Sequence, residues 1–222
     1  MELRDEKYSF PVEDHQLIYQ GKVFDFVTDS VRLHRDEEVV QRDYLSHPGA
    51  VAIAAVRPVA GADSSSREIS DWEILLVRQY RHPVRAFLWE IPAGLLDHQG
   101  EDRLGAAKRE LWEEANLTAE NWKVLVDFFT SPGSSSEHLR VYLARKVSSA
   151  SGKCFEASEE ERDMITAWFS LEQARDALLA GKIHNPSAMA AILSVIESLR
   201  KGWRGLRDVD VPFAPDPLEE NR

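Results

Sequence analysis

The sequence has little of what marks secreted or membrane-bound proteins. A single cysteine, Cys154, stands among 222 residues, so the chain has no internal disulfide framework. Nowhere do about eighteen apolar residues follow one another, the length that a membrane-spanning helix needs. The N-terminal segment has no apolar run of signal-peptide length. We therefore expect a cytoplasmic protein with no membrane partner.

The chain also has fewer basic residues than acidic ones. The chain has 27 Lys and Arg residues against 38 Asp and Glu residues, which gives a formal net charge of -11. This balance argues against a general binder of nucleic acids or of anionic membrane surfaces, because both targets are negatively charged. An acidic protein can still bind a diphosphate through a divalent cation. We therefore expect no nucleic-acid partner.

The apolar patterns predict one main domain with an accessory element. Between Tyr8 and Tyr44, apolar and polar residues alternate, which predicts short strands in a small antiparallel sheet. Further on, the patterns predict a buried strand at 47–58 and further strands at 72–80, 122–131 and 138–147. They also predict helices at 103–115, 170–181 and 187–203, the last two ending near Gly181 and Gly202. The predicted organisation is a β accessory and dimerisation element at 1–46, a main domain at 47–205 and an acidic, proline-containing tail at 206–222.

The segment from Gly94 to Leu117 concentrates carboxylates on one face of a predicted helix. Glu113 and Glu114 follow Glu110 by three and four positions, so the three side chains project together. Such carboxylates repel one another unless a cation lies among them, and hard oxygen donors suit Mg²⁺ or Mn²⁺ rather than zinc. For the Glu113-Glu114 pair alone, a solvated acidic face is the alternative. The neighbouring stripe is apolar, as expected of a face packed against a core: Leu104, Ala107, Leu111 and Ala115.

This segment resembles the Nudix box, the signature of the Nudix hydrolase superfamily. The box has a Gly, five variable residues and a Glu, then seven variable residues and Arg-Glu-apolar-x-Glu-Glu-x-Gly-apolar. Two features depart from it: six residues separate Gly94 from Glu101, and Asn116 replaces the final Gly. Asn is the residue best able to take the left-handed conformation that ends a helix. The chain matches the box, in order, at Gly94, Glu101, Arg109, Glu110, Leu111, Glu113, Glu114 and Leu117.

The resemblance implies a Nudix α/β/α sandwich with a mixed sheet, plus a small N-terminal antiparallel β-sheet element. Segments 77–94 and 130–144 are similar to those of ADP-ribose pyrophosphatases, above all in a Ser-Pro-Gly turn followed by Glu137. That subfamily hydrolyses the pyrophosphate bond of ADP-ribose to AMP and ribose 5-phosphate. Two alternatives stay open: a Nudix hydrolase of another nucleoside diphosphate derivative, such as a nucleotide sugar or a dinucleotide, and a non-catalytic sensor that binds ADP-ribose.

The resemblance also implies roles for the residues of the box. Glu110 and Glu114 are expected to be the principal metal ligands, Glu113 a further or water-mediated one, and the carbonyl of Ala93 another oxygen. We expect two to three Mg²⁺ or Mn²⁺ ions, because one cation does not easily serve two carboxylates, a water and a diphosphate. Arg109 is expected to orient the carboxylates through Glu113 or Glu101.

Outside the box, the resemblance implies a general base, substrate contacts and a dimer. Within segment 155–164 the base is expected to be Glu160, with Glu161 as the second choice. We expect Arg81 to contact phosphate, Glu90 to contact ribose or a metal-bound water, and Glu137 to contact the terminal ribose or a partner subunit. Related enzymes form homodimers with exchanged N-terminal sheets, which implies that Arg42 and Phe24 stack on the adenine bound by the other chain. An ordinary salt bridge is the alternative for the charged residues among these, and an ordinary core aromatic is the alternative for Phe24.

Overall fold

The computed structural model describes residues 3–33, 38–98, 100–150 and 164–214. The chain divides into two compact units. The N-terminal unit comprises Met1–Ala50, Phe128–Leu139 and Pro212–Arg222, and the main unit comprises Val51–Asp127 and Arg140–Val211. In the part of the chain so described, no helix is both long and apolar enough to cross a membrane.

The N-terminal unit contains a three-stranded sheet. Its strands are β1 (Val12–Tyr19), β2 (Asp25–Val31) and β3 (Val40–Ser46), in the order β1-β2-β3 with antiparallel pairing throughout. Every residue of β1 is exposed, while Val27 of β2 is buried. The prediction of a small antiparallel sheet in this region is confirmed.

A second sheet has seven strands. Strand β5 pairs antiparallel with β4, β6 and β10. The strand order is β10-β5-β4-β9-β8, with β6 also paired to β5 and β7 to β4. The strands are β4 (Ala50–Pro58), β5 (Trp72–Arg81), β6 (Ala86–Glu90), β7 (Ala93–Leu95), β8 (Leu117–Phe129), β9 (His138–Ser149) and β10 (Ile165–Ser170). Strand β4 is almost wholly buried, which explains its continuous apolar run.

Three helices accompany this sheet: α1 (Arg103–Ala115), α2 (Leu171–Leu179) and α3 (Pro186–Arg200). Each begins at a side-chain cap, because Asp102, Ser170 and Asn185 each accept a hydrogen bond from a backbone N–H of the first turn. Helix α1 ends at Asn116, whose φ of 53 and ψ of 40 are left-handed, as predicted from its place in the box.

Helix α1 packs its apolar stripe into the main core. Ala106, Ala107 and Leu111 are fully buried there, and Leu104 and Ala115 pack against the same cluster. The core faces them with residues of the seven-stranded sheet, namely Val51, Ile53, Ala55, Leu75, Val124, Tyr142 and Ala144. Burial of this stripe fixes the rotation of α1 about its axis and therefore the direction of its carboxylates.

Residues 206–211 of the predicted tail belong to the main unit. The backbone N–H of Val124 donates to the carbonyl of Arg207 at 3.0 Å. The Arg207 guanidinium donates to Asp127 at 2.8 Å, and Arg140 donates to both oxygens of Asp127 at 2.8 and 2.9 Å. Arg207 is therefore joined to strand β8 by one backbone bond and by an ion pair with Asp127, in which the Arg207 side chain is 42% exposed and that of Asp127 is 10% exposed.

Candidate active site

The carboxylate of Glu110 lies directly against Gly94 of strand β7. A Cβ atom added at Gly94 would come within 2.0 Å of both Cδ and Oε1 of Glu110. Atoms that are not bonded to each other do not approach so closely, so only glycine leaves room for this carboxylate. The first residue of the predicted signature therefore has a steric role: it lets the backbone of β7 approach the acidic face of α1.

Arg109 lies among the carboxylates of the box. Its Nε and Nη2 donate to Glu101 at 3.0 to 3.2 Å, and its Nη1 donates to Glu110 at 2.5 Å and to Glu113 at 2.9 Å. One guanidinium thus binds three carboxylates, which fits the planar, multi-donor geometry of arginine. In this arrangement Arg109 relieves the repulsion expected between Glu110 and Glu113.

The pKa values around Arg109 reflect this arrangement. Burial raises the pKa of the Glu110 carboxyl, the charge of Arg109 opposes that rise, and the neighbouring Glu113 and Asp97 add to it. Burial acts to lower the pKa of Arg109, but its bonds to Glu101, Glu110 and Glu113 outweigh burial, so its pKa is raised and it stays charged. The acidic face therefore carries a permanent internal cation.

Glu114 faces the backbone beside Gly94. Its Oε2 accepts a hydrogen bond from the N–H of Ala93 at 3.1 Å. Strand β7 and helix α1 are thus joined twice, by the close approach of Gly94 to Glu110 and by this bond. The two expected principal ligands, Glu110 and Glu114, both lie against the strand that supplies the Ala93 carbonyl.

The chemistry of this face suits a hard divalent cation. Glu110 and Glu113 have side chains only 12% and 19% exposed, and carboxylate oxygens are preferred by Mg²⁺ and Mn²⁺. Gly94 leaves space at Glu110 that any other residue would fill. Among the described residues, no three His, Cys, Asp or Glu side chains are grouped to hold a metal ion. Metal ligation stays a prediction.

Arg81 and Glu90 form a bidentate ion pair at the β5-β6 hairpin. The Nε of Arg81 donates to Oε1 of Glu90 at 2.9 Å, and its Nη2 donates to Oε2 at 2.7 Å. Glu90 is buried, whereas the side chain of Arg81 is 45% exposed. Gln79 adds a long contact to Oε2 at 3.4 Å. The buried carboxylate therefore orients an exposed guanidinium, the group expected to meet phosphate.

The remaining described candidates belong to the N-terminal unit. Glu137 accepts a short hydrogen bond from the hydroxyl of Thr130 and lies near His47. The exposed ring of Phe24 stacks on the His47 ring, so it is not an ordinary core aromatic. Arg42 lies exposed on β3, where it donates to the carbonyl of Gln41 at 2.9 Å.

Sequence reasoning overlooked His47 and Thr130. The apolar run that follows His47 predicts a strand, and this pattern assigns no role to the residue that precedes it. Nothing local to either position indicated a common neighbour, because Glu137 is distant from His47 along the chain. Both expected bases, Glu160 and Glu161, lie outside the described residues, as does Cys154.

Comparison with known proteins places the chain in a family. The family model of the NUDIX domain matches residues 62–191, more than half of the chain. The chain therefore belongs to the NUDIX domain family, and the predicted class, a Nudix hydrolase, is confirmed.

Individual relatives support the same assignment. The chain is 36% identical over 211 residues to the ADP-ribose pyrophosphatase of Mycobacterium tuberculosis, with 95% of this chain and 94% of that protein covered. It is 30% identical over 185 residues to the methanol dehydrogenase activator of Bacillus methanolicus, with 82% and 91% covered. The resemblance stated from the sequence is thereby confirmed.

A solved structure supports the fold. It is described as the crystal structure of an ADP compounds hydrolase, covers 89% of this chain and 98% of its own, and superposes with a TM-score of 0.63 at 18% identity. At this identity the likeness shows the fold alone. The predicted fold class, a Nudix sandwich with a mixed sheet and a small N-terminal antiparallel sheet, is confirmed.

Proposed function

We propose that this protein hydrolyses the pyrophosphate bond of ADP-ribose, with the help of divalent metal ions, to give AMP and ribose 5-phosphate. The observation that carries the proposal is the match to an ADP-ribose pyrophosphatase along 95% of the chain, at 36% identity. The geometry of the box supports it, since Gly94, Arg109, Glu110 and Glu114 are arranged around one helix and one short strand.

The proposed metal site uses Glu110, Glu114 and the carbonyl of Ala93, with Glu113 as a further or water-mediated ligand. We assign two to three Mg²⁺ or Mn²⁺ ions to it. These residues would hold the ions, which would make a water more acidic and would neutralise negative charge on the diphosphate. Helix α1 holds Glu110, Glu113 and Glu114 on one face because its apolar stripe is fixed in the core.

Arg109 is a positioning residue in this proposal. It binds Glu101, Glu110 and Glu113 at once, so it limits the rotamers that these carboxylates adopt. A permanent cation also lowers the cost of gathering the carboxylates in a partly buried place. Arg109 therefore prepares the acidic face for a cation without touching substrate.

The remaining roles follow the family pattern. Glu160, or Glu161 beside it, acts as the general base that takes a proton from the attacking water. Arg81 binds a phosphate oxygen, and the bidentate bond from Glu90 supports this role by fixing its guanidinium. Glu137 accepts a hydrogen bond from a hydroxyl of the terminal ribose. Phe24 and Arg42 stack on the adenine of a ligand bound to the other chain.

We further propose a cytoplasmic homodimer whose N-terminal sheet contributes to the interface. Strand β1 supports this, because large apolar side chains lie exposed on it, including Leu17, Ile18 and Tyr19. Exposed apolar patches of this kind are typical of association surfaces. The acidic net charge of -11 supports the absence of nucleic-acid and membrane partners.

A second candidate function is hydrolysis of another nucleoside diphosphate derivative, such as a nucleotide sugar or a dinucleotide. One relative favours it, because its name gives another substrate. It is a hydrolase of CMP-5'-(N-acetyl-N-hydroxy-3-aminopropyl)phosphonate from Streptomyces rubellomurinus, 26% identical over 163 residues, with 72% of this chain and 69% of that protein covered. A non-catalytic sensor is disfavoured, because all box carboxylates are present.

A substrate panel tests both functions. The purified protein is incubated with ADP-ribose, nucleotide sugars and dinucleotides, each with Mg²⁺ and each with a chelator, and the products are separated. We expect AMP and ribose 5-phosphate from ADP-ribose at the highest kcat/KM, and no product with the chelator. Faster turnover of another diphosphate would select the second function, and no cleavage of any compound would reject both.

A further inference from the structure

Glu137 is held from two sides within the N-terminal unit. The hydroxyl of Thr130 donates to its Oε2, and Nε2 of His47 lies 3.8 Å from its Oε1. A separation of 3.8 Å is too long for a hydrogen bond, so the contact between the imidazole and the carboxylate is electrostatic and weaker than the bond from Thr130. Oε1 thereby keeps its capacity to accept a hydroxyl from a ligand. The side chain of Glu137 is 28% exposed, which leaves it accessible.

The hydrogen bonds of His47 determine which of its nitrogens carries the proton. The backbone N–H of Gly49 donates to Nδ1 at 3.0 Å, so Nδ1 acts as an acceptor. In a neutral imidazole the other nitrogen then bears the hydrogen, and that nitrogen is Nε2, which faces Glu137. Burial lowers the pKa of His47 while the charge of Glu137 raises it, and burial has the larger effect.

The backbone around His47 is itself fixed. The N–H of His47 donates to the hydroxyl of Ser136 at 2.9 Å. Gly49 has a left-handed φ of 88, and a Cβ there would come within 2.4 Å of the buried ring of His138. Because no other residue fits at Gly49, the amide that sets the His47 tautomer cannot easily move.

His47 also supports an exposed aromatic ring. The rings of Phe24 and His47 stack with centroids 5.9 Å apart and an angle of 27°. The His47 side chain is only 10% exposed, whereas Phe24 is 43% exposed. One buried imidazole therefore contacts two accessible groups of different chemistry, a carboxylate and an aromatic ring.

On the basis of the proposed function, we infer that His47 is a positioning residue that holds the Glu137 carboxylate and the Phe24 ring in place for the ligand contacts proposed for each. The carboxylate suits a ribose hydroxyl, and the ring suits a purine base. His47 contacts neither the ribose nor the base, and it acts through Glu137 and Phe24. Its removal therefore weakens substrate binding and leaves the chemical step unchanged.

Two substitutions separate the contacts of His47. His47→Phe keeps a ring for Phe24 to stack on but removes both polar contacts. His47→Gln offers an oxygen to the Gly49 amide and an N–H to Glu137 but has no ring. We expect His47→Phe to raise the KM for ADP-ribose about tenfold, the factor that corresponds to about 1.4 kcal/mol, with kcat unchanged. His47→Gln is expected to recover most of this loss.

A double-mutant cycle with Glu137→Gln shows whether the effect passes through Glu137. We expect His47→Phe to change KM much less in the Glu137→Gln background than in the wild type, because coupled residues are not additive. A wild-type KM for His47→Phe, or an equal effect in both backgrounds, would overturn the inference. A wild-type protein that does not cleave ADP-ribose would instead overturn the proposed function.

A measurement on the wild-type protein covers the case in which His47→Phe fails to fold. Nitrogen NMR of the histidine rings, recorded with Mg²⁺ and a non-hydrolysable ADP-ribose analogue, reports the tautomer of His47. We expect the hydrogen on Nε2 and a shift of this signal when the analogue is added. A hydrogen on Nδ1, or a signal that the analogue does not move at saturation, would refute the role.

Discussion

Replacing Gly94 with alanine tests how closely the fold and the chemistry are linked. The new Cβ would lie 2.0 Å from Cδ and Oε1 of Glu110 and 2.6 Å from its Cγ, whereas ordinary contacts begin at 3.4 Å. The carboxylate must therefore move by about 1.4 Å or swing to another rotamer. Because the colliding atoms are the far end of a flexible side chain, we expect the stability of the fold to change little.

The expected loss of activity is much larger than the loss of stability. A misplacement of about 1 Å at a reacting centre costs about 100-fold in rate. Movement of Glu110 also disturbs its 2.5 Å bond to Arg109, which connects it to Glu101 and Glu113. We therefore expect Gly94→Ala to lower kcat for ADP-ribose about 100-fold, with a thermal unfolding midpoint within a few degrees of the wild type.

Steady-state kinetics over a range of Mg²⁺ concentrations, with calorimetry on the same samples, measures both quantities. Gly61→Ala is a suitable control, because a Cβ there meets nothing within 4 Å. Its φ of 85 strains alanine, so this variant also shows what a modest loss of stability does to the rate. Wild-type kcat in Gly94→Ala would refute the reasoning, since Glu110 would then not need the position described for it.

Further substitutions test other parts of the account. Glu114→Gln keeps an oxygen for the Ala93 amide, so it should leave the fold intact while it lowers kcat about 1,000-fold. A wild-type rate would show that Glu114 is not a metal ligand. Glu160→Gln should lower kcat by about 100-fold or more with metal affinity retained; an unchanged rate would move the base to Glu161 or elsewhere. Arg81→Lys should raise KM about tenfold, because lysine cannot bind a carboxylate and a phosphate in bidentate fashion; an unchanged KM would remove its substrate contact. Arg140→Met should cost about 3 kcal/mol in the free energy of unfolding by leaving its buried bonds to Asp127 unmade; denaturant titration giving a loss below about 1 kcal/mol would contradict this.

Local signals made helix α1 and its carboxylates predictable. An apolar stripe and a closing Asn116 lie within one segment and predict the helix, and the structure adds Asp102 as its N-terminal cap. The spacing of Glu110, Glu113 and Glu114 then follows from helical geometry alone. The bond from Arg109 to its neighbour Glu110 was not expected, because adjacent residues on a helix do not face each other and only a long side chain reaches back.

Short strands and long-range contacts were not predictable in the same way. Strands β6 and β7 have five and three residues and are separated by Ile91 and Pro92, so neither shows a repeated pattern. Strand β10 has six residues and gained no separate prediction. The contact of His47 with Glu137 depends on tertiary folding, which brings together residues that no local pattern relates.

The central claim is that a divalent cation binds between Glu110 and Glu114. Anomalous diffraction from crystals soaked with Mn²⁺ and a non-hydrolysable ADP-ribose analogue tests it most directly. We expect a manganese peak within coordination distance of both carboxylates and of the diphosphate. Density for the analogue elsewhere, with no manganese at these carboxylates and Arg109 as their only cation, would contradict the account.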